Sequence, residues 1–433
     1  MSSEEQREQE RLQQLLKECH LLVRNDERLS SEMSFEELSK VLFMKKAYEQ
    51  PPEDYASDDL HKPKNNHSFF NYLHQELDVH QSPEDMLLTL FHKANDKYSI
   101  FGVKDTLRLK TATFLKLAER LDHASSELYQ TYDSFLTRVF NAKTEQIMVP
   151  SPLIDFIVEV LNPQVQEKVI NTACSVGSFL VKVGKMYRQK SLPPYNMFGT
   201  DLNSQATNIA RLNLFLQGYH SPDHIYNVNG LKPHPHIKEE SFDVAIVAPP
   251  FGLKARKDEV YDYATYKYPI GQISGNYEVL YLERALHLLR PGGRMGIILP
   301  ESIFNSDSFS KVRAYVESKA KICLIVSLPN DAFASVGLGT KTSLLFLSKF
   351  SEEEAIEYDK IAQKAKQDIG TKKENEEKVM AEIKTQFDYE FAIAEVEKIG
   401  ISRLGRKTDN DLPEVLKEFN QFAPFAPPNE NFH

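Results

Sequence analysis

The chain has 433 residues, 41% apolar and 26% charged, with a formal net charge of −10. This is an ordinary globular composition, and the length leads us to expect two or three domains. The acidic balance excludes bulk, sequence-blind attraction to phosphates, which needs Lys and Arg in excess, but leaves room for a local basic groove. Cys19, Cys174 and Cys323 are far apart and odd in number, so they indicate neither a disulfide framework nor a zinc site. The opening MSSEEQREQERLQQ lacks the basic-then-apolar pattern of a signal peptide, and no run of about eighteen apolar residues occurs. A cytoplasmic protein without a membrane span is the expectation.

Residues 1–140 read as a helical N-terminal domain. Ser34 and Glu37 have capping-box spacing, and Phe35, Leu38, Val41 and Leu42 follow on one face. PPEDYASDDLHKPKNNHS reads as a loop, and amphipathic helices resume in SPEDMLLTLFHKAND and DTLRLKTATFLKLAERL. From 141 to 350 strands and helices alternate. Ser151 with Pro152 starts a helix whose stripe is Ile154, Ile157, Val158 and Leu161. KVIN, NMFGTDL, FDVAIVA, RMGIILP, ICLIVSL and TSLLFLS read as strands. Helices are expected from about Ser178, over SQATNIARLNLFLQG, and over NYEVLYLERALHLLR up to Pro291-Gly292-Gly293.

Continuous apolar runs mean strands buried on both faces, and their alternation with helices predicts a doubly wound, mostly parallel sheet. The last two strands are joined by LPNDAFASVGLGTK, too short for a crossover, which predicts an antiparallel hairpin at the closing edge. Residues 351–433 read as a charged helical tail with a solvated face, ending in the proline-rich FAPFAPPNENFH.

In such sheets ligands sit beyond the carboxyl ends of the strands. Three ends carry candidates. NTACSVGSFL is a small-residue turn that lets backbone approach a ligand, although a tight strand-to-helix turn needs small residues in any case. Asp201 is placed either to accept hydrogen bonds from a ribose diol or to cap the next helix. Pro249-Pro250-Phe251 is a rigid turn with an aromatic able to stack on a flat ring, or else a strand-ending turn with a core Phe. His234 and His236 in KPHPH form an isolated pair, a poor metal site.

Over almost its whole length the chain resembles the methylation subunit of type I restriction–modification systems, N6-adenine DNA methyltransferases that use S-adenosylmethionine. KECHLLVRNDERLSSEMSFEELSKVLFMK is similar to that family's helical opening. NTACSVGSFL stands where the family has Asp-Pro-Ala-Cys-Gly-Ser-Gly-Gly-Phe-Leu. GTDLNSQATNIARLNLFLQG, LERALHLLRPGGRMGIILPESIF, VSLPNDAFASVGLGTKTSLLFL and TDNDLPEVLKEF are similar to later blocks. A Rossmann dehydrogenase fits less well, having no role for APPF and requiring an absent Gly-x-Gly-x-x-Gly.

The resemblance implies a class I S-adenosylmethionine-dependent methyltransferase fold, Rossmann-like with seven mostly parallel strands. It also implies double-stranded DNA, a specificity-type subunit, a nuclease/helicase subunit and a second methylase-like subunit as partners. The family's motif at 248–251 is Asn-Pro-Pro-Phe or Asn-Pro-Pro-Tyr. Its Asn and the next carbonyl accept hydrogen bonds from the flipped adenine's amine, and the aromatic stacks on the base. Here Ala248 replaces the Asn, while Pro249, Pro250 and Phe251 remain.

The cofactor side departs as well. Asn171 replaces the acidic residue and Ser175 the first loop glycine, while Ala173, Cys174, Gly177 and Phe179 are kept. In QIMVPSP, Val149 stands for a threonine beside Pro150, and Asn229 for an Asp near the bound bases. Asp201, the ribose partner, survives. The resemblance therefore implies a catalytically impaired subunit kept for docking to DNA and partners. An active adenine methyltransferase, or one acting on RNA or a protein amide, are the alternatives.

Overall fold

The structure, a computed structural model, describes residues 3–49, 68–79, 82–125, 127–140, 148–189, 196–219, 224–256, 275–334, 339–404 and 406–422. The expected loop at 51–67 and the proline-rich end lie outside these residues. The chain divides into two compact units. One comprises residues 1–145, 176–181 and 204–225, and the other 146–175, 182–203 and 226–433.

In the first unit α1 (Ser3–Glu27), α2 (Ser31–Glu49), α3 (Phe69–Val79), α4 (Pro83–Tyr98), α5 (Thr111–Asp122) and α6 (Glu127–Phe140) are helical, as the apolar spacing predicts. The capping reading at α2 is corrected. The helix begins at Ser31, and it is Ser30 whose hydroxyl accepts the Met33 amide. Ser34 lies inside the helix and donates back to the Ser30 carbonyl. Glu37 is buried and pairs with Lys40, because α2 runs through the middle of the unit rather than along its surface. Phe35 stacks on Tyr132 and Phe135, and Phe43 packs edge-on against Phe91 and Phe101.

The second unit is built on a sheet in the order β3-β2-β1-β4-β5-β7-β6-β8. The strands are β1 (Val169–Asn171), β2 (Met197–Thr200), β3 (Ile225–Tyr226), β4 (Phe242–Val247), β5 (Leu289–Pro300), β6 (Ala320–Ser327), β7 (Thr342–Lys349) and β8 (Ala392–Glu395). The run β2-β1-β4-β5 is parallel, with β7 antiparallel to both β5 and β6. The expected hairpin thus forms, but β7 inserts beside β5 and the sheet does not close there. An eighth strand, β8, comes from the region read as a helical tail and pairs parallel to β6.

The later helices of the chain are α7 (Ser151–Leu161), α8 (Ser178–Gln189), α9 (Ser204–Leu216, in the first unit), α10 (Tyr277–Leu288), α11 (Ser302–Asn305), α12 (Ser310–Glu317), α13 (Glu352–Ile369), α14 (Glu376–Gln386) and α15 (Leu412–Phe422). Pro150 rather than Ser151 occupies the cap position of α7. α10 ends at Leu288, and β5 runs through Pro291-Gly292-Gly293, where the stop was expected.

The core lies between the sheet and α10, with Phe242, Ala245 and Val247 of β4 and Met295, Ile297 and Leu299 of β5 at or below 1% exposure. At the amino ends of the strands Glu167 takes a two-pronged bond from Arg294, at 2.8 and 2.7 Å. That pairing is favourable because the planar guanidinium matches both carboxylate oxygens. Among the described residues no helix is long and apolar enough to cross a membrane.

Candidate functional site

Sequential strand order reverses between β1 and β4, so the rim beyond their carboxyl ends is the switch point where such sheets hold ligands. Asn171, at the end of β1, is in register with Gly199 of β2 and Ile246 of β4, which brings three candidate loops to one edge.

The loop after β1 is tightly folded. Asn171 is completely buried, and its Oδ1 accepts the Ala173 amide at 3.2 Å while its Nδ2 finds no partner. Thr172 and Ser175 also carry buried hydroxyls without partners among the described residues. Ser175 has φ +47°, the left-handed region where an L side chain costs about 1–2 kcal/mol. Gly177 has φ +82°, and a Cβ there would come within 3.1 Å of the Ala210 side chain. At the start of α8 the Ser178 hydroxyl donates to Asp133, which also accepts from Asn213.

Asp201 stands immediately after β2. Its carboxylate accepts the Ser175 and Asn203 amides, both at 2.9 Å, so it braces the β1 loop and closes a local turn at Asn203. Burial raises its pKa, opposed by those two N–H groups. The neighbouring Leu202 is 72% exposed. In the segment after β3, Asn229 Oδ1 accepts the Leu231 amide. Gly230 beside it has no room for a side chain, since a Cβ would lie 2.1 Å from the Thr172 carbonyl and 2.5 Å from Thr200 Oγ1. Arg284 of α10, 4% exposed, donates to the Gly230 carbonyl at 3.2 Å and holds this segment in place.

The turn after β4 carries Ala248, half-buried, then buried Pro249 and half-buried Pro250. Phe251 is 8% exposed and meets Phe333 edge-on at 6.1 Å. Gly252 has φ +69°, and its amide donates to Glu278 at 2.6 Å. Val149 and Pro150 are buried directly before α7, where the Pro150 carbonyl accepts the Leu153 amide.

The structure therefore gathers Asn171, Ala173, Ser175, Asp201 and Asn229 around one set of loop contacts, with the Ala248–Phe251 turn on the adjoining strand. Gly230, Glu278 and Phe333 were missed from the sequence. An Asn-Gly pair was the only hint of the first, and the other two act through contacts distant in the chain. His234 and His236 stack on Tyr226 at 4.5 and 5.8 Å, and no cluster of metal-binding side chains exists among the described residues.

The sequence model for N-6 DNA methylase matches residues 125–402. The chain belongs to the N-6 DNA methylase family. It is 23% identical over 251 residues to the EcoEI methylase subunit of a type I restriction enzyme from Escherichia coli, a match covering 56% of this chain and 49% of the relative. The chain thus spans about half the length of that relative. A type I methyltransferase subunit from Streptococcus thermophilus superposes with a TM-score of 0.59 at 17% identity, over 88% of this chain and 94% of the other. A Listeria monocytogenes chain classed among S-adenosylmethionine-dependent methyltransferases of class I gives 0.53 at 17% identity, over 90% of this chain and 98% of the other. The fold is that class.

S-adenosylmethionine is the cofactor of this methylase family and fold, and the residues fit it unevenly. Asp201 stands at the end of β2, the place of a ribose-binding carboxylate in such sheets, with each of its oxygens accepting a backbone amide. The loop after β1 offers no carboxylate for the cationic end. Asn171 is neutral and fully buried, and the orphaned Asn171, Thr172 and Ser175 atoms are turned away from solvent.

Proposed function

We propose that this methylase-family chain is a type I modification-type subunit that has lost most of its methyl-transfer chemistry and serves as a scaffold docking to duplex DNA. Its partners on this reading are a specificity-type subunit, a nuclease/helicase subunit and a second methylase-like subunit. The observation that carries the proposal is Ala248 at the end of β4, where a methyl group stands at the position for an acceptor.

S-adenosylmethionine, when bound, supplies an electrophilic methyl group, with Asp201 holding its nucleoside half. The amine that receives the methyl must be oriented and made electron-rich by acceptors on the turn, and Ala248 has none to offer. Losing one pre-organised polar contact of this kind costs about 3–4 kcal/mol, or roughly 10²- to 10³-fold in rate. Phe251 adds to the deficit, since its ring is packed against Phe333 and little of it is exposed to receive a base. Ser175, strained and carrying an unpartnered hydroxyl, and neutral Asn171 weaken the cofactor side independently.

The test is transfer from radiolabelled S-adenosylmethionine to unmethylated duplex DNA by the chain assembled with its cognate partners. We expect background turnover from the native chain. The combined Ala248→Asn, Asn171→Asp, Ser175→Gly variant should rise at least about 10²-fold above it. Native turnover equal to that of the restored variant would overturn the proposal.

A further inference from the structure

We propose that Glu278 is the positioning residue that holds the Pro249-Pro250-Phe251 turn in its presenting shape, acting through Gly252. The turn leaves β4 with two prolines fixing its first half, and its second half needs an anchor of its own. Gly252 supplies half of that anchor: at φ +69° it is glycine for its backbone conformation, since no atom of the described residues lies within 4 Å of where a Cβ would stand. The other half is the hydrogen bond from its amide to Glu278 Oε1 at 2.6 Å. Two backbone bonds extend the clasp, Tyr277 N–H to the Leu253 carbonyl at 3.1 Å and Ala255 N–H to the Gly275 carbonyl at 2.9 Å.

A plainer role for Glu278 is a first-turn acid that complements the dipole of α10. A solvent-facing carboxylate gives that benefit without desolvation. Glu278 is instead 2% exposed, with Oε2 buried and without a partner among the described residues. Burying a carboxyl half-satisfied is costly, and the turn is what the remaining bond secures. Burial also raises its pKa, against the pull of the Gly252 N–H and, after it, of its own backbone N–H.

The inference rests on the proposed function only for what the turn presents; the clasp is measured separately. Hydrogen exchange on the full-length chain compares the native protein with Glu278→Gln and Glu278→Asp. Gln keeps an acceptor at the same reach, so protection at Gly252 is expected to stay at the native level. Asp keeps the charge but withdraws it by one methylene, and protection at Gly252 should fall about tenfold, the loss of one hydrogen bond. Amides of β4 and the rest of α10 should be unchanged.

Native protection of Gly252 in Glu278→Asp would overturn the inference. So would a loss in Glu278→Gln, or a fall spread evenly over β4 and α10, which marks a general stability role. Exchange reads the clasp without any methyl transfer. An active native enzyme would therefore sink the proposed function and leave the clasp standing, and an unclasped turn would do the reverse.

Discussion

The two rims of the site are held in different ways. On the base side, the turn after β4 keeps its backbone, with both prolines, the aromatic, left-handed Gly252 and the bond to Glu278, and lacks one polar side chain. On the cofactor side, the loop after β1 keeps its path at the expense of its own energetics: Ser175 sits at φ +47° and three buried polar side-chain groups lack partners. Shape and chemistry are therefore separable. The base-side turn rests on a buried, half-satisfied carboxyl at Glu278, whereas the cofactor-side loop carries left-handed strain at Ser175.

Beyond the restored variant, the largest expected effect is on the cofactor side. Gly230→Ala would drive a Cβ into the Thr172 carbonyl and Thr200 hydroxyl. Something must shift, at about 3 kcal/mol, seen as a lower urea midpoint and weaker S-adenosylmethionine binding in calorimetry. Protection at Gly252 should be unaffected, and a loss there would show that the two rims are not independent.

The next effect comes through α10, which carries the base-side clasp. His287 is 8% exposed, and its pKa is pushed down to about 4, first by burial and then by the charges of Lys349, Arg284 and Lys319. Between a solvated value of about 6.5 and this one, the unfolded chain takes up a proton that the folded chain refuses. Stability should therefore fall as pH drops through that window, by up to about 1.4 kcal/mol per pH unit. Thermal melts from pH 7 to pH 4 should show the slope in the native chain and a flatter one in His287→Gln. Equal slopes would place the pH dependence elsewhere.

The smallest effect is Ser175→Gly. Relief of about 1–2 kcal/mol of left-handed strain is partly offset by about 0.5–1 kcal/mol of extra chain entropy in glycine. Urea unfolding should show a gain of under about 1 kcal/mol. A loss would mean that the serine hydroxyl has a partner that matters.

Much of this architecture was legible from the residues. The apolar runs of β4, β6 and β7 announced buried strands, and the short link between β6 and β7 announced their antiparallel pairing. β8 was not legible, because AIAE is only four residues long and becomes a strand only by pairing with β6. The capping-box spacing of Ser34 and Glu37 misled, since that pattern is local and the burial of α2 is not. At the site, the strand ends that carry Asn171, Asp201 and Ala248 could be read from the chain. The enclosure of Phe251 by Phe333 could not, because the partner lies on a different loop after another strand.

The sequence by itself determined the period of each element, the parallel sheet, and the residue types along its rim, because these follow from steric preferences and side-chain chemistry acting over a few residues. Only the tertiary structure decided that Glu278 is buried against Gly252, that Gly230 has no room for a Cβ, and that Phe251 is covered. Burial and hydrogen-bond partners are set by whichever distant segment packs alongside, and no local pattern carries that information.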